Sequence, residues 1–363
     1  MRYDIIVAGA GPAGCTAGLE LARQGYSVLI IEKKVFPRDK LCAGGLPRKV
    51  LRFIDLEKKG VVEDRIHRVE FSLRLGRRFV LESEQPLIYT VRRDRFDQLL
   101  LRKAREQGCH VRESEAVRRL DLRRDRVTVR TDTADYRGRV LVGADGVAGV
   151  VRRLAGFRSR RSLIATLQAH VDLNEPLRRR FRGRIWVGFG WIPRGYAWIF
   201  PRRDHLAVGM GVDTSRRRVP LMKRAFQDLL QQLHCRPEDV DILSYPIHIY
   251  GRRQPLVKGP VVLVGEAGGL VHPLTAEGIY YAMKSARQAA IAVHRYLTGQ
   301  HPDLLWYQRS IDRGMGSFFS KSRLFSSLFY GLPRLSFRLF VNDNRYVRRY
   351  LGMNQDGHQS VFQ

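Results

Sequence analysis

Apolar and polar positions along this chain of 363 residues follow two alternating patterns. Tyr3–Ala8 is a short continuous apolar run, the pattern of a strand buried on both faces. From Pro12 to about Gln24 the apolar residues recur at helical spacing, and Ser27–Glu32 is a second apolar run that ends on an acid. The same sequence of strand, turn and helix returns twice. Val140–Gly156 predicts a strand ending at Asp145-Gly146, a turn and a basic helix start. Gly259–Ala290 predicts a strand ending at Gly265-Glu266, a glycine-rich loop and a long helix. Thr90–Gly108 reads as an extended stretch followed by an amphipathic helix. Tyr196, Trp198 and Phe200 recur with period two, so they share one face of a strand. Near the end, Phe318, Phe325, Phe329, Leu332 and Leu335 recur at helix-like spacing, broken at Gly331-Leu332-Pro333. The residues after Asn354 are polar and are expected to lack fixed structure.

Composition narrows the class. With 44% hydrophobic residues the chain can bury a sizeable core, enough for two lobes. No apolar run is long enough to predict a transmembrane helix. The start of the chain passes directly into a strand pattern, which predicts no signal peptide and a cytoplasmic location. Cys15, Cys42, Cys109 and Cys235 are scattered, with no C-x-x-C spacing. That argues against a metal or iron–sulfur site and fits a reducing compartment.

The net charge is +30. Three explanations are open: an anionic membrane surface, nucleic acid, or a compositional bias, since Arg greatly outnumbers Lys. No nucleic-acid motif accompanies the charge, so no nucleic-acid partner is expected. The clusters Leu177–Arg184 and Ser215–Val219 read as solvated loops or strand ends.

Chemistry first enters at Gly9-Ala10-Gly11-Pro12-Ala13-Gly14. Its setting of strand, turn, helix and strand is the one a dinucleotide fingerprint requires. Gly9 permits the tight turn, Gly11 lets backbone approach a pyrophosphate, and Gly14 lets helix and strand pack closely. The pyrophosphate would sit on the helix N-terminus, and Glu32 would accept hydrogen bonds from a ribose. This fingerprint does not choose between NAD and FAD. A second unusual stretch is Lys40-Leu41-Cys42-Ala43-Gly44-Gly45, a cysteine in a basic setting followed by two glycines. The chain must turn tightly there and come close to something. A positive neighbourhood of Lys40 and Arg38 would favour a thiolate, so Cys42 is open to two roles: proton donor or contact to a cofactor face.

The ordered glycine turns resemble those of the para-hydroxybenzoate-hydroxylase-like FAD fold. That resemblance implies FAD as cofactor, held through Gly9, Gly11, Pro12, Ala13, Gly14, Glu32, Lys33, Asp145 and Gly146. Glu266, Gly278, Ile279 and Arg93, which precedes the amphipathic helix, would complete the set. One departure stands out: the fold usually has Asp where this chain has Glu266. Three segments further resemble the geranylgeranyl reductase family of FAD enzymes. They are Lys40-x-Cys42-x-Gly44, then Tyr196-x-Trp198-x-Phe200-Pro201, then His272–Arg287, which has Ala276 in place of a family glycine. The resemblance spans roughly residues 1–300.

It implies an α/β protein with a Rossmann-type FAD-binding lobe, an inserted, mostly antiparallel β-sheet substrate lobe and a helical C-terminal segment. The expected cofactor lobe is 1–65, 92–163 and 255–300; the substrate lobe is 66–91 and 164–254. Residues 301–353 would be helical and 354–363 a tail. The implied activity is stepwise saturation of prenyl double bonds by reduced flavin, with NAD(P)H or an electron-donor protein such as reduced ferredoxin as electron source. The substrate would be a pigment precursor, a prenyl diphosphate or an isoprenoid lipid. Cys42 and Ala43 would lie close to the flavin, His272 and Tyr280 are candidate catalytic groups, and Tyr196, Trp198, Phe200 and Pro201 would line the substrate. Trp186 and Trp191 fit either a sheet core or an extension of that aromatic wall. The C-terminal segment fits either a helical cap or an interfacial helix on the inner membrane face. A flavin monooxygenase or halogenase of the same fold, and a non-catalytic FAD- or lipid-binding membrane-associated protein, are the alternatives.

Overall fold

The computed structural model describes residues 1–57, 60–74, 76, 78–158, 161–214, 218–342 and 348. The expected tail at 354–363 and part of the Ser215–Val219 cluster lie outside them. The chain divides into two compact units, 1–39 with 94–162 and 247–324, and 40–93 with 163–246 and 325–363.

The first unit is built on a six-stranded sheet. Its order is Val257–Lys258, Val261–Leu263, Val140–Gly143, Ile5–Ala8, Val28–Ile31 and His110–Arg112. All pairings are parallel except that of Val257–Lys258. Ile5, Ile6 and Val7 are completely buried, as a strand covered on both faces demands. Helices Pro12–Ala22 and Ile279–Leu297 pack on one another beside this sheet. Register places Ala8 beside Gly143 and Gly143 beside Leu263. The C-terminal ends of three parallel strands therefore lie side by side, and the turn after each emerges at the same edge.

The second unit contains a seven-stranded sheet. In order its strands are Leu243–Ile249, Ser162–Asp172, His205–Asp213, Gly195–Pro201, Arg184–Phe189, Arg68–Leu73 and Arg78–Glu82. From Ser162–Asp172 to Arg78–Glu82 neighbouring strands are antiparallel, except that Arg184–Phe189 runs parallel to Arg68–Leu73. Opposed residues share a face. Tyr196 stands opposite Phe189 and Gly211, Trp198 opposite Val187 and Gly209, and Phe200 opposite Ala207. Alternate residues form the other face. There Ile199, Val208, Met210 and Trp186 close a core with Phe226 and Leu230 of helix Arg218–Gln231.

Trp186 is thus excluded from the aromatic wall. It pairs with Ile199, one residue out of phase with Trp198, and period two sends it to the far side. Trp191 packs against the same core. Residues 40–65, expected with the cofactor lobe, cluster with the second unit. Their strands Gly45–Pro47 and Val62–Ile66 both pair with Ile88–Val91. The C-terminal helical segment is likewise divided between the units, after Leu324.

Candidate cofactor and substrate sites

At the edge where the three strands end, Gly9 has φ +101°, and a Cβ there would lie 2.6 Å from the Ala144 carbonyl oxygen. Only glycine fits that close approach of two turns. At Gly11 an added Cβ would meet nothing nearer than an Arg38 nitrogen, at 3.7 Å. Crowding by the protein therefore does not explain Gly11, and the space in front of it is open. Gly11 is also the N-cap of helix Pro12–Ala22, which has no acidic residue in its first turn. Its unpaired N–H groups and dipole form an anion seat. Glu32 is buried and held by two backbone donors, Ala10 N–H at 2.9 Å and Lys34 N–H at 3.1 Å. Arg38, set by sequence near Cys42, instead reaches Glu32 at 3.7 Å and Asp97 at 3.4 Å.

The second turn is fixed by Asp145, whose Oδ2 accepts from Val151 N–H at 2.9 Å. Its Oδ1 is buried with no hydrogen-bond partner among the described residues. Burial pushes this carboxyl above its ordinary value, against the pull of backbone N–H groups. A polar ligand that donates to Oδ1 would complete the site. In the third turn Glu266 accepts from His248 backbone N–H at 3.3 Å, and its other oxygen lies 3.7 Å from where a Gly146 Cβ would stand. The longer Glu side chain thus still reaches the Asp145-Gly146 turn. Beneath it, His248 Nδ1 is 3.2 Å from the Glu266 carbonyl oxygen, which can only accept, so the ring carries its proton there. Burial, then Arg152 and Arg161, push the His248 pKa down to about 4. Arg152 donates to Gln254 Oε1 at 2.8 Å, and Gln254 Nε2 donates to the Gly268 carbonyl. Sequence reading missed this supporting network; a lone His and a lone Arg among 65 basic residues carry no pattern.

The loop that follows turns tightly. His272 N–H donates to Glu277 O and Ala276 N–H to His272 O. Ala276 adopts φ +52°, a conformation that costs an L-residue roughly 1–2 kcal/mol and that the glycine of the resembling motif adopts freely. The His272 side chain is completely buried, with Nε2 3.1 Å from Ser322 Oγ and Nδ1 3.0 Å from Thr275 Oγ1. Tyr281 stacks on it at 6.0 Å. Gly278 caps helix Ile279–Leu297, and Tyr280 is buried in its first turn.

In the second unit the cysteine turn explains its own glycines. Gly44 has φ +64°, and a Cβ there would stand 2.2 Å from the Val91 carbonyl oxygen and 2.4 Å from an Arg202 nitrogen. One on Gly45 would stand 2.4 Å from the Phe200 ring. What this turn approaches is therefore the end of the strand Gly195–Pro201. Cys42 Sγ accepts from Gly44 N–H at 3.2 Å. Lys40 stands 3.3 Å above the Tyr245 ring, and the cation on the turn is Arg202, whose Nη2 donates to the Ala43 carbonyl. Arg202 is buried, its Nη1 has no partner among the described residues, and desolvation lowers its pKa to about 10. Arg93 is also buried, at the start of helix Arg93–Glu106.

Phe71, Phe189, Tyr196 and Trp198 form a continuous aromatic face on this unit's sheet. Centroids lie 6.5 Å apart for Phe71–Phe189, 6.2 Å for Phe189–Tyr196 and 5.7 Å for Tyr196–Trp198. The Trp198 indole lies flat across Gly209, where a Cβ would come within 2.3 Å of it. Its Nε1 has no hydrogen-bond partner among the described residues.

The FAD-binding domain family matches residues 2–313. Digeranylgeranylglycerophospholipid reductase 1 of Methanopyrus kandleri is 30% identical over 306 residues, 80% of either chain. The geranylgeranyl diphosphate reductase of Rhodobacter capsulatus is 28% identical over 351 residues, 91% of this chain and 85% of that one. This chain belongs to the geranylgeranyl reductase family of FAD-dependent oxidoreductases. A solved geranylgeranyl bacteriochlorophyll reductase-like protein of Thermoplasma acidophilum has the same fold, with TM-score 0.80 at 21% identity, covering 91% of this chain and 88% of that one. FAD fits the first unit: the open Gly11 turn, the anion seat and the unsatisfied Asp145 Oδ1 are what a dinucleotide would occupy. Among the described residues no helix is long and apolar enough to cross a membrane, and no three His, Cys, Asp or Glu groups gather as a metal site.

Proposed function

We propose that this oxidoreductase saturates carbon–carbon double bonds of a geranylgeranyl or related prenyl chain. The observation that carries the reading is the continuous aromatic face of Phe71, Phe189, Tyr196 and Trp198, buried at Phe189 and Trp198 and half-buried at Phe71 and Tyr196, which offers a long oily chain an apolar surface. A prenyl chain gains about 0.8 kcal/mol for each methylene-sized group it buries there. Bound here in its reduced form, FAD would be the hydride source for one alkene carbon, with a proton drawn from solvent for the other and the two electrons replaced by NAD(P)H or by reduced ferredoxin. Gly9, Gly11, Pro12, Ala13, Gly14, Glu32 and Lys33 are assigned to the adenosine diphosphate half of FAD. Asp145, Gly146, Glu266, Gly278, Ile279 and Arg93 are assigned to its remainder.

Cys42, Ala43 and Gly44 are assigned to the flavin face, held by Arg202 from behind. The Gly44 N–H donates to Cys42 Sγ and fixes the thiol within its turn, which supports a contact role for Cys42. With both ring nitrogens engaged, His272 is assigned to hold its loop, and Tyr280 to the helix start beside it. Tyr196, Trp198, Phe200 and Pro201 are assigned to the chain. The substrate is a prenyl diphosphate, a prenylated pigment precursor or an isoprenoid glycerolipid. The last of these would be met at an anionic membrane surface.

The test is product mass after anaerobic reduction in the presence of geranylgeranyl compounds. Products heavier by whole numbers of H2 support the reading; an oxygenated or halogenated product under air, with no reduced product, overturns it. Within it, Cys42→Ala is expected to retain FAD while slowing alkene reduction at least about tenfold. Unchanged turnover would remove Cys42 from the reaction.

A further inference from the structure

The last two described helices, Ser317–Gly331 and Pro333–Asn342, show leucine to solvent where a surface helix normally shows polar side chains. Leu328, Leu332, Leu335 and Leu339 are between 53% and 66% exposed. Leu324, one turn before Leu328 on the same helix, is exposed too. On the opposite side of these helices, Phe329 and Phe337 are buried and pack on Phe189 of the aromatic face, with centroids at 4.9 and 6.4 Å. The helices are thus apolar on two sides, aromatic inward and aliphatic outward. Other exposed leucines, such as Leu221 and Leu305, stand singly. A row of leucines at spacings of four, four, three and four is a contiguous patch of the kind that marks an interaction surface.

Charge identifies the partner. Residues 317–342 contain Lys321, Arg323, Arg334 and Arg338 and not one Asp or Glu. Lys321, Arg323 and Arg338 are exposed. We propose that this leucine face seats on a lipid bilayer with anionic headgroups, the leucines entering the acyl boundary and the basic side chains reaching the phosphates. A second copy of the chain would meet the same patch with a like charge of +30. An anionic bilayer supplies the opposite charge together with the oily layer. Docked this way, the helices would bring the aromatic face to about one helix diameter, roughly 10 Å, from the lipid tails. The inference extends the lipid-substrate reading and rests on it only for its purpose; the surface is argued from exposure and charge.

The test is co-sedimentation of the FAD-loaded full chain with two kinds of vesicle: phosphatidylcholine alone, and equal parts of phosphatidylcholine and phosphatidylglycerol. Preferential binding to the mixed vesicles is expected, weakened but not abolished by salt. The triple variant Leu328→Gln, Leu335→Gln, Leu339→Gln is expected to bind them at least about tenfold more weakly while keeping its flavin absorbance. The variant Arg323→Glu, Arg338→Glu is expected to lose the preference for the anionic lipid. The proposal is overturned if the parent protein ignores both vesicles, if the triple variant binds as well as the parent, or if the patch proves to join two copies, seen as a dimer that the triple variant dissociates. Reduction of detergent-dispersed geranylgeranyl diphosphate is read in parallel. If that reduction fails while vesicle binding stands, the substrate reading falls and the docking surface survives.

Discussion

Two glycines only two positions apart do different work. At Gly9 a side chain would collide with the Ala144 carbonyl, so Gly9→Ala is expected to cost about 2 kcal/mol or more of stability even without cofactor. At Gly11 nothing crowds a Cβ. Gly11→Ala is expected to change the stability of the apoprotein by less than about 1 kcal/mol and to weaken FAD binding at least about tenfold. Thermal unfolding of the apoproteins with flavin titration separates the two; equal effects would contradict the assignment. His248 offers a pH test. Its folded pKa of about 4 lies below the ordinary 6.5, so between these values the unfolded chain binds the proton and the folded one does not. Stability is therefore present above pH 6.5 and lost as pH falls towards 4, by about 3 kcal/mol at most. Denaturant unfolding across this range should show the loss, and His248→Asn should flatten it. The glycine fingerprint and Glu32 were legible because local spacing carries them. Arg202 and His248 were not, because each gains its meaning from a turn elsewhere in the sequence.

Strands and helices were read with uneven success, for one physical reason. Continuous apolar runs such as Ile5–Ala8 name themselves, because a parallel strand is buried on both faces. The period of two placed Tyr196, Trp198 and Phe200 together, but it could not assign Trp186 and Trp191, since face depends on register with a neighbouring strand. The same register puts Gly209 beneath Trp198. Gly209→Ala would drive a methyl into the indole, at an expected cost of about 1–3 kcal/mol. If the indole is displaced from the wall, prenyl-chain affinity falls while FAD binding holds, and tryptophan fluorescence reports the shift. Retention of full affinity for the prenyl chain would remove Trp198 from the substrate surface. Residues 40–65 were expected beside the cofactor strand that precedes them. Pairing of Gly45–Pro47 and Val62–Ile66 with Ile88–Val91 draws them into the other unit, a long-range choice that local pattern does not encode.

For the whole molecule, the family and the FAD cofactor follow from motifs in order, whereas the charge of +30 needed surface geometry to acquire a direction. Exposed leucines amid basic residues give part of that charge a purpose; exposed pairs such as Arg68–Glu82 and Arg236–Asp239 cancel in the net charge and contribute little to stability. FAD and the alkene react with each other, so a single turnover of reduced flavin isolates their chemistry. The flavin is reduced anaerobically with dithionite, excess reductant is removed, and a geranylgeranyl compound is added. The yellow absorbance is expected to return with a matching quantity of dihydro product, and a fully saturated analogue is expected to leave the flavin bleached. A flavin that stays bleached with every prenyl compound, or recovers equally with the saturated one, would contradict that reaction.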